Sequence, residues 1–311
     1  VLIKGECLKS NLLQTIHDAI LYSGSNWTEI SSNKEQDYNV VGGGSDGWVF
    51  KSPVIGGEGQ SIFLTLKSQD FTQDGRNLIM IGLSEDYSPA LEIGTNGIHT
   101  NKFYEVWAIC NNAKNNDMTW LPTDTIEYFI DVLDHRILIV LQKKSETLYN
   151  YPQYCYIGYP NLNTNLESPN AINQFIFASN LSGLDSVNRP TWFKTSQPKS
   201  SSYNPYGQIA ISYVNLNINN PTPNGMYLMH PVYLTGDGVV SPACGILGIL
   251  DGLYFLPATN ISNGDIIKVG DDTYKVFVKQ YTINNFHIDM GIGYRAYYDS
   301  INASVFAIKI S

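Results

Sequence analysis

The chain predicts a mostly β fold, with β-sandwich or barrel-like sheets and one N-terminal α-helix. Short aromatic and β-branched runs of strand length recur along it, separated by Gly and Asp turns, most densely over residues 225–311. Pairs of such runs are joined by only two or three residues, the spacing of a tight hairpin. A single window keeps its apolar residues at helical spacing.

That window is residues 8–22, where Leu8, Leu12, Ile16, Ala19 and Ile20 recur three and four apart. Ser10 or the polar residues preceding it would cap the start, and Gly24 stands where a helix commonly stops. The Gly-rich turn 42–47 then leads into a strand beginning at Trp48. Apolar runs at 61–67, 77–82, 103–110 and 125–133 are of strand length. The run 136–142 follows across the Asp134-His135 corner and makes a hairpin with 125–133. Residues 154–159 form a further strand. Residues 161–206 are rich in Asn, Ser, Pro and Gly around the apolar 175–178, and read as a surface excursion. Strands resume at 209–214 and continue through 226–234, 248–257, a hairpin about Gly270-Asp271-Asp272, and a closing run at 303–310. No fixed-period repeat appears, which argues against a solenoid or propeller. The expected organisation is an N-terminal helical segment (1–35), a first β domain (36–160), the excursion (161–207) and a C-terminal β domain (208–311) able to pack with the first.

Composition narrows the function classes. Charged residues make up only 15% of the 311 residues and Tyr alone counts 21, so the exterior is largely neutral and polar. Such a surface suits lasting contact with copies or partners, because Tyr contributes area at little entropic cost. The formal charge is −9 and the densest basic cluster is the pair Lys143-Lys144, which argues against direct nucleic-acid binding and against an anionic membrane surface. No apolar run is long enough to span a bilayer, and there is no secretory leader pattern.

Residue types that could carry chemistry form no catalytic, cofactor-binding or metal-binding set, and no cofactor is expected. Cys7, Cys110, Cys155 and Cys244 lie far apart and read as free buried thiols. His17, His99, His135, His230 and His287 have no second ligand at metal spacing. The loop at Gly42–Gly47 lacks the Lys-Ser/Thr ending and following helix of a phosphate loop. Gly236-Asp237-Gly238 and Gly270-Asp271-Asp272 lack the repeated oxygens of a calcium loop. Ser45 and Ser241 lack a nucleophile elbow. Glu85, Asp86, Glu127, Asp131 and Asp134 lie near aromatics and are the set from which a glycosidase pair would be drawn. Trp107, Trp120, Trp192 and Tyr203 would be the stacking platforms of a sugar-binding module.

As an ordered set, several elements resemble a family of tailed-bacteriophage virion structural proteins. The resemblance runs through the helix leading to Trp27, and the Gly-rich turn before Gly47-Trp48-Val49-Phe50-Lys51-Ser52, with 61–66 after it. It continues through the aromatic strand, charged corner and apolar strand of 128–140, and Tyr156-Ile157-Gly158. It closes with Pro231-Val232-Tyr233-Leu234, Leu250-Asp251-Gly252-Leu253-Tyr254, Tyr274-Lys275-Val276-Phe277-Val278 and 306–310. Residues 161–208 depart from the pattern. The resemblance implies a non-enzymatic particle component of the tail or neck (collar or baseplate included), self-associating in a symmetric homo-oligomer and docking to other virion proteins. Its location would be the virion, assembled in the bacterial host cytoplasm. The competing classes are a carbohydrate-binding module for host attachment, a capsid-surface decoration protein and a cell-envelope-degrading enzyme.

Overall fold

The computed structural model describes residues 1–30, 48–55, 61–71, 76–84, 107–109, 120–144, 152–162, 176–179, 191–194, 206–207, 209–212, 229–236, 246–256, 261–278 and 305–311. In chain order its elements are β1 (Leu2–Leu8), α1 (Leu12–Leu21), β2 (Thr28–Glu29), β3 (Trp48–Lys51), β4 (Phe63–Phe71), β5 (Arg76–Ser84), β6 (Trp107–Ile109), β7 (Thr125–Leu133) and β8 (Arg136–Lys143). They continue with β9 (Gln153–Gly158), β10 (Asn161–Leu162), β11 (Ile176–Ser179), β12 (Thr191–Lys194), β13 (Tyr206–Gly207) and β14 (Ile209–Ser212). The last are β15 (His230–Gly236), β16 (Ile246–Leu256), β17 (Ile266–Val269), β18 (Asp272–Val278) and β19 (Val305–Lys309). The fold is mostly β, and the described residues form three antiparallel sheets and one short N-terminal helix.

Contacts divide the chain into two units that interleave in sequence. One comprises Val1–Lys144, Gln153–Tyr159 and Ser168–Gly207; the other comprises Ser145–Pro152, Pro160–Glu167 and Gln208–Ser311. The first unit holds a seven-stranded sheet in the order β1-β7-β8-β9-β11-β12-β13 and a five-stranded sheet in the order β2-β3-β4-β5-β6. The N-terminal segment is built into this unit, since β1 is an edge strand paired with β7 from Leu2↔Asp131 to Leu8↔Thr125. In the stretch expected as a surface excursion, β11, β12 and β13 extend the same sheet beyond β9. Ladder hydrogen bonds come from the backbone, so an Asn- and Ser-rich segment can extend a sheet that side-chain polarity does not announce.

One core joins α1 to both sheets. Leu12, Leu13, Ile16, Ala19 and Ile20 of the helix meet Ile126, Ile130, Val132, Ile137, Ile139, Leu141, Cys155 and Ile157 of the seven-stranded sheet. From the five-stranded sheet come Trp48, Phe50, Leu64, Leu66, Ile79 and Ile81. Each fully buried Leu or Ile contributes about 1.5–3 kcal/mol of transfer free energy, which a lone ten-residue helix would lack. The helix is shorter than its apolar periodicity suggested. Residues 9–11 make a single 3-10 turn and Leu8 ends β1, half exposed, because the chain must leave the sheet before it can coil. Asn11 rather than Ser10 is the N-cap, and its side chain makes no capping hydrogen bond. The helix ends with the Tyr22 N–H donating to the Asp18 carbonyl, followed by Gly24 at φ 77.

Both expected hairpins are present. Leu133↔Arg136 leaves Asp134-His135 as a two-residue turn, and Val269↔Asp272 leaves Gly270-Asp271. The second unit's sheet runs β14-β15-β16-β19-β18-β17, with β10 also paired to β16. Its register against β15 shifts between Pro231 and Val232, opposite the Leu250-Asp251-Gly252 element, where Gly252 has φ 83. Asp251, Gly252 and Leu253 are extra residues on β16 at this shift, and glycine takes the left-handed φ there without a Cβ penalty. One face of this sheet gathers Leu256, Tyr274, Val276, Val278, Val305 and Ala307. The rings of Phe277 and Phe306 stack at 5.1 Å. Among the described residues, no helix is long and apolar enough to cross a membrane.

Candidate functional site

Among the described residues, a polar cluster centred on His17 lies where α1 meets the five-stranded sheet. The helix turns His17 inward, where it is 6% exposed. Its Nδ1 lies 2.8 Å from Asp18 Oδ1 and its Nε2 3.3 Å from Glu29 Oε2 on β2. Gln14 Nε2 donates to the same Asp18 oxygen at 2.8 Å. The imidazole stacks on Trp48 of β3 at 3.9 Å between ring centroids and tilts against Phe50 at 5.4 Å. Asp18, the next residue on the helix, thus holds one side of the ring. The arrangement ties three elements together through one aromatic ring. It closes no metal set, since the described residues contain no group of three or more His, Cys, Asp or Glu side chains able to hold an ion.

The carboxylates from which a glycosidase pair would be drawn are engaged in strand and loop contacts. Glu127 accepts a short hydrogen bond from Gln142 Nε2. Asp131 receives Arg136 Nη2 at 2.7 Å, and Arg136 Nη1 donates to the Asp131 carbonyl, next to the hairpin turn. Asp134 accepts from the Asn26 backbone N–H at 2.9 Å and from Asn26 Nδ2 at 2.7 Å. These two bonds hold its carboxyl below the usual carboxylate range, the backbone one contributing most. They also tether the chain following α1 to the β7–β8 turn, where Trp27 Nε1 donates to the Leu133 carbonyl. Glu85 and Asp86 lie outside the described residues.

Trp120 is 2% exposed and sits in the core, so it offers no ring face to a sugar; its size and apolar area are better satisfied inside. Trp107 and Trp192 lie on β6 and β12, and Tyr203 is outside the described residues. Cys7 and Cys155 are free, and burial pushes both thiols up, Cys155 far above the ordinary range. For Cys7 a hydrogen bond with Thr15 partly offsets that rise. Cys110, Cys244, His99, His287, Ser45, Ser241 and the Gly42–Gly47 loop lie outside the described residues. His135 occupies the β7–β8 turn and His230 begins β15. Lys143 and Lys144 pair with Asp124 at 2.8 Å and Glu6 at 2.6 Å. Asp272 pairs with Lys309 at 2.5 Å, which anchors the Gly270 hairpin to β19.

Exposed apolar side chains occur on edge strands. Leu8 on β1 is 45% exposed, and on β17 Ile266 and Val269 are 53% and 52% exposed. The sequence reading missed β1, because its only signal is Ile3 and Cys7 alternating with Lys4 and Glu6 around a glycine. No family model and no curated protein matches this chain.

Proposed function

We propose that this chain is a non-enzymatic structural component of a tailed-phage particle, acting by self-association and by docking to other virion proteins in the tail or neck. The observation that carries this reading is that strands ending their sheets among the described residues bear exposed apolar side chains, Leu8 on β1 in the first unit and Ile266 and Val269 on β17 in the second. An edge strand offers unpaired backbone donors and acceptors, and soluble proteins usually blunt such edges unless a neighbour covers them. The sparse charge and abundant Tyr of the chain suit the same use. The elements that resemble phage virion proteins also fall on paired strands: 128–140 on the β7–β8 hairpin, Tyr156-Ile157-Gly158 on β9, and 250–254 and 274–278 on β16 and β18.

The test has two arms. Gold-labelled antibody against the chain, applied to purified particles in the electron microscope, should decorate one tail or neck position in a symmetric cluster. Light scattering on the purified protein should give a multiple of the 34.7 kDa chain mass. A monomer at high concentration, together with unlabelled particles, would sink the reading.

A further inference from the structure

The geometry points to β1 as a self-complementary edge, through which two copies of this chain pair antiparallel about a two-fold axis centred on Gly5. This rests on the self-association reading above and gives it a surface and a register.

Val1 and Val132 exchange hydrogen bonds in both directions, and the Lys9 N–H donates to the Asp124 carbonyl. In an antiparallel ladder, hydrogen-bonded and non-hydrogen-bonded pairs alternate. Over the register from Leu2↔Asp131 to Leu8↔Thr125, Ile3, Gly5 and Cys7 therefore turn their backbone groups to β7. Leu2, Lys4, Glu6 and Leu8 turn theirs away from it. Among the described residues β1 ends the sheet, so these groups form its outer edge. The same four side chains share the face opposite the core, whereas Ile3 and Cys7 pack against the core cluster.

Now let a second copy approach antiparallel. Outward backbone groups must meet outward groups, so even-numbered residues must face even-numbered residues. A register centred on Lys4 sets that lysine against its own copy, and one centred on Glu6 does the same with two carboxylates; like charges directly opposite are destabilising. Centred on Gly5, Lys4 faces the second copy's Glu6, Glu6 faces its Lys4, and Leu2 and Leu8 face each other across the axis. The sequence Leu2-Ile3-Lys4-Gly5-Glu6-Cys7-Leu8 is thus self-complementary about Gly5, apolar at both ends and opposite in charge on its two sides. Lys4 is exposed and has no ion pair among the described residues, leaving it free for this use. Glu6 already meets Lys144, so its carboxylate would sit between two ammonium groups. Contact at a two-fold axis is isologous, and both copies use one surface.

The experiment uses the full chain and two charge reversals, Lys4→Glu and Glu6→Lys, each alone and then mixed. Sedimentation velocity over a concentration series reads association, and circular dichroism melts confirm that each variant folds. Either reversal alone places like charges opposite at both pairs, so association through this edge should weaken by roughly ten- to a hundredfold. Mixing the two variants restores opposite charges at both pairs, so a mixed dimer should form where neither variant pairs alone. If the unaltered protein associates and neither reversal weakens it, pairing through β1 is overturned while self-association stands. Loss with both reversals but no rescue on mixing overturns the Gly5-centred register. A wild-type protein that stays monomeric throughout overturns the pairing and the reading beneath it together.

Discussion

Single residues in this structure are held by geometry that specific substitutions would expose. Gly158, at the end of β9, has φ 127, and a Cβ built there would lie 2.4 Å from the His135 carbonyl oxygen. The Tyr159 N–H donates to that same carbonyl, so the backbone cannot easily retreat. Gly158→Ala should cost about 3 kcal/mol or more, read as a lower urea midpoint. Tyr159 is buried, and burial pushes its phenol up to about 12. A folded-state value above the unfolded value of about 10 means the stabilisation is whole below that pH and is lost as pH rises through the folded value. The urea midpoint should therefore fall between about pH 10 and pH 12, and Tyr159→Phe should flatten that limb. Asp134 carries the opposite sign. Its carboxyl is lowered by the Asn26 bonds, so its contribution is present above the unfolded value of about 4 and lost as pH falls through the folded one. Asn26→Ala removes the side-chain bond and leaves the backbone one, so it should make the acid limb of the stability curve somewhat shallower; an unchanged limb would show that the side-chain bond does not persist in solution.

At the scale of elements, α1 depends on what it packs against. It has no side-chain N-cap bond and is only ten residues long, too short to persist alone in water. Ile16 is fully buried between the two sheets of its unit, whereas Tyr22 at its end is exposed. Ile16→Ala should destabilise by about 3 kcal/mol and Tyr22→Ala by less than about 0.5 kcal/mol, compared by urea denaturation. The helix was legible in the sequence because Leu12, Ile16, Ala19 and Ile20 repeat at its period. Its start was not, because Leu8 continues that period while belonging to a strand. The hairpins at Asp134-His135 and Gly270-Asp271 were legible because a two-residue turn leaves a local chemical mark. β1 left only a short alternation broken by Gly5, and its partner β7 lies more than a hundred residues away, a pairing that no local pattern announces. The His17 cluster was hidden for the same reason, since Glu29 and Trp48 reach the ring only after the five-stranded sheet has formed.

At the scale of the whole molecule, the interleaving of the two units constrains where the chain can be divided. β10, at Asn161–Leu162, belongs to the second unit and pairs with Gly248 and Ile249 of β16. A fragment of residues 208–311 follows the apparent compositional boundary but leaves that part of β16 without its partner. It should melt at lower temperature and associate more readily than the intact chain, as read by calorimetry and size exclusion. A fragment as stable and as monodisperse as the parent would show that β10 contributes nothing.

The sequence by itself determined the β class, the single helix, the tight turns and most strand positions, because all of these follow from spacing and backbone preference within a few residues. It also limited the surface to few charges, which is a matter of composition alone. Only the tertiary structure decided which strands are neighbours, that the 176–207 strands extend the first sheet, that Trp120 turns inward, and that β1 ends its sheet among the described residues. Those outcomes depend on chain closure over long separations, where the free energy lies in burial and ladder pairing between segments that carry no local record of one another.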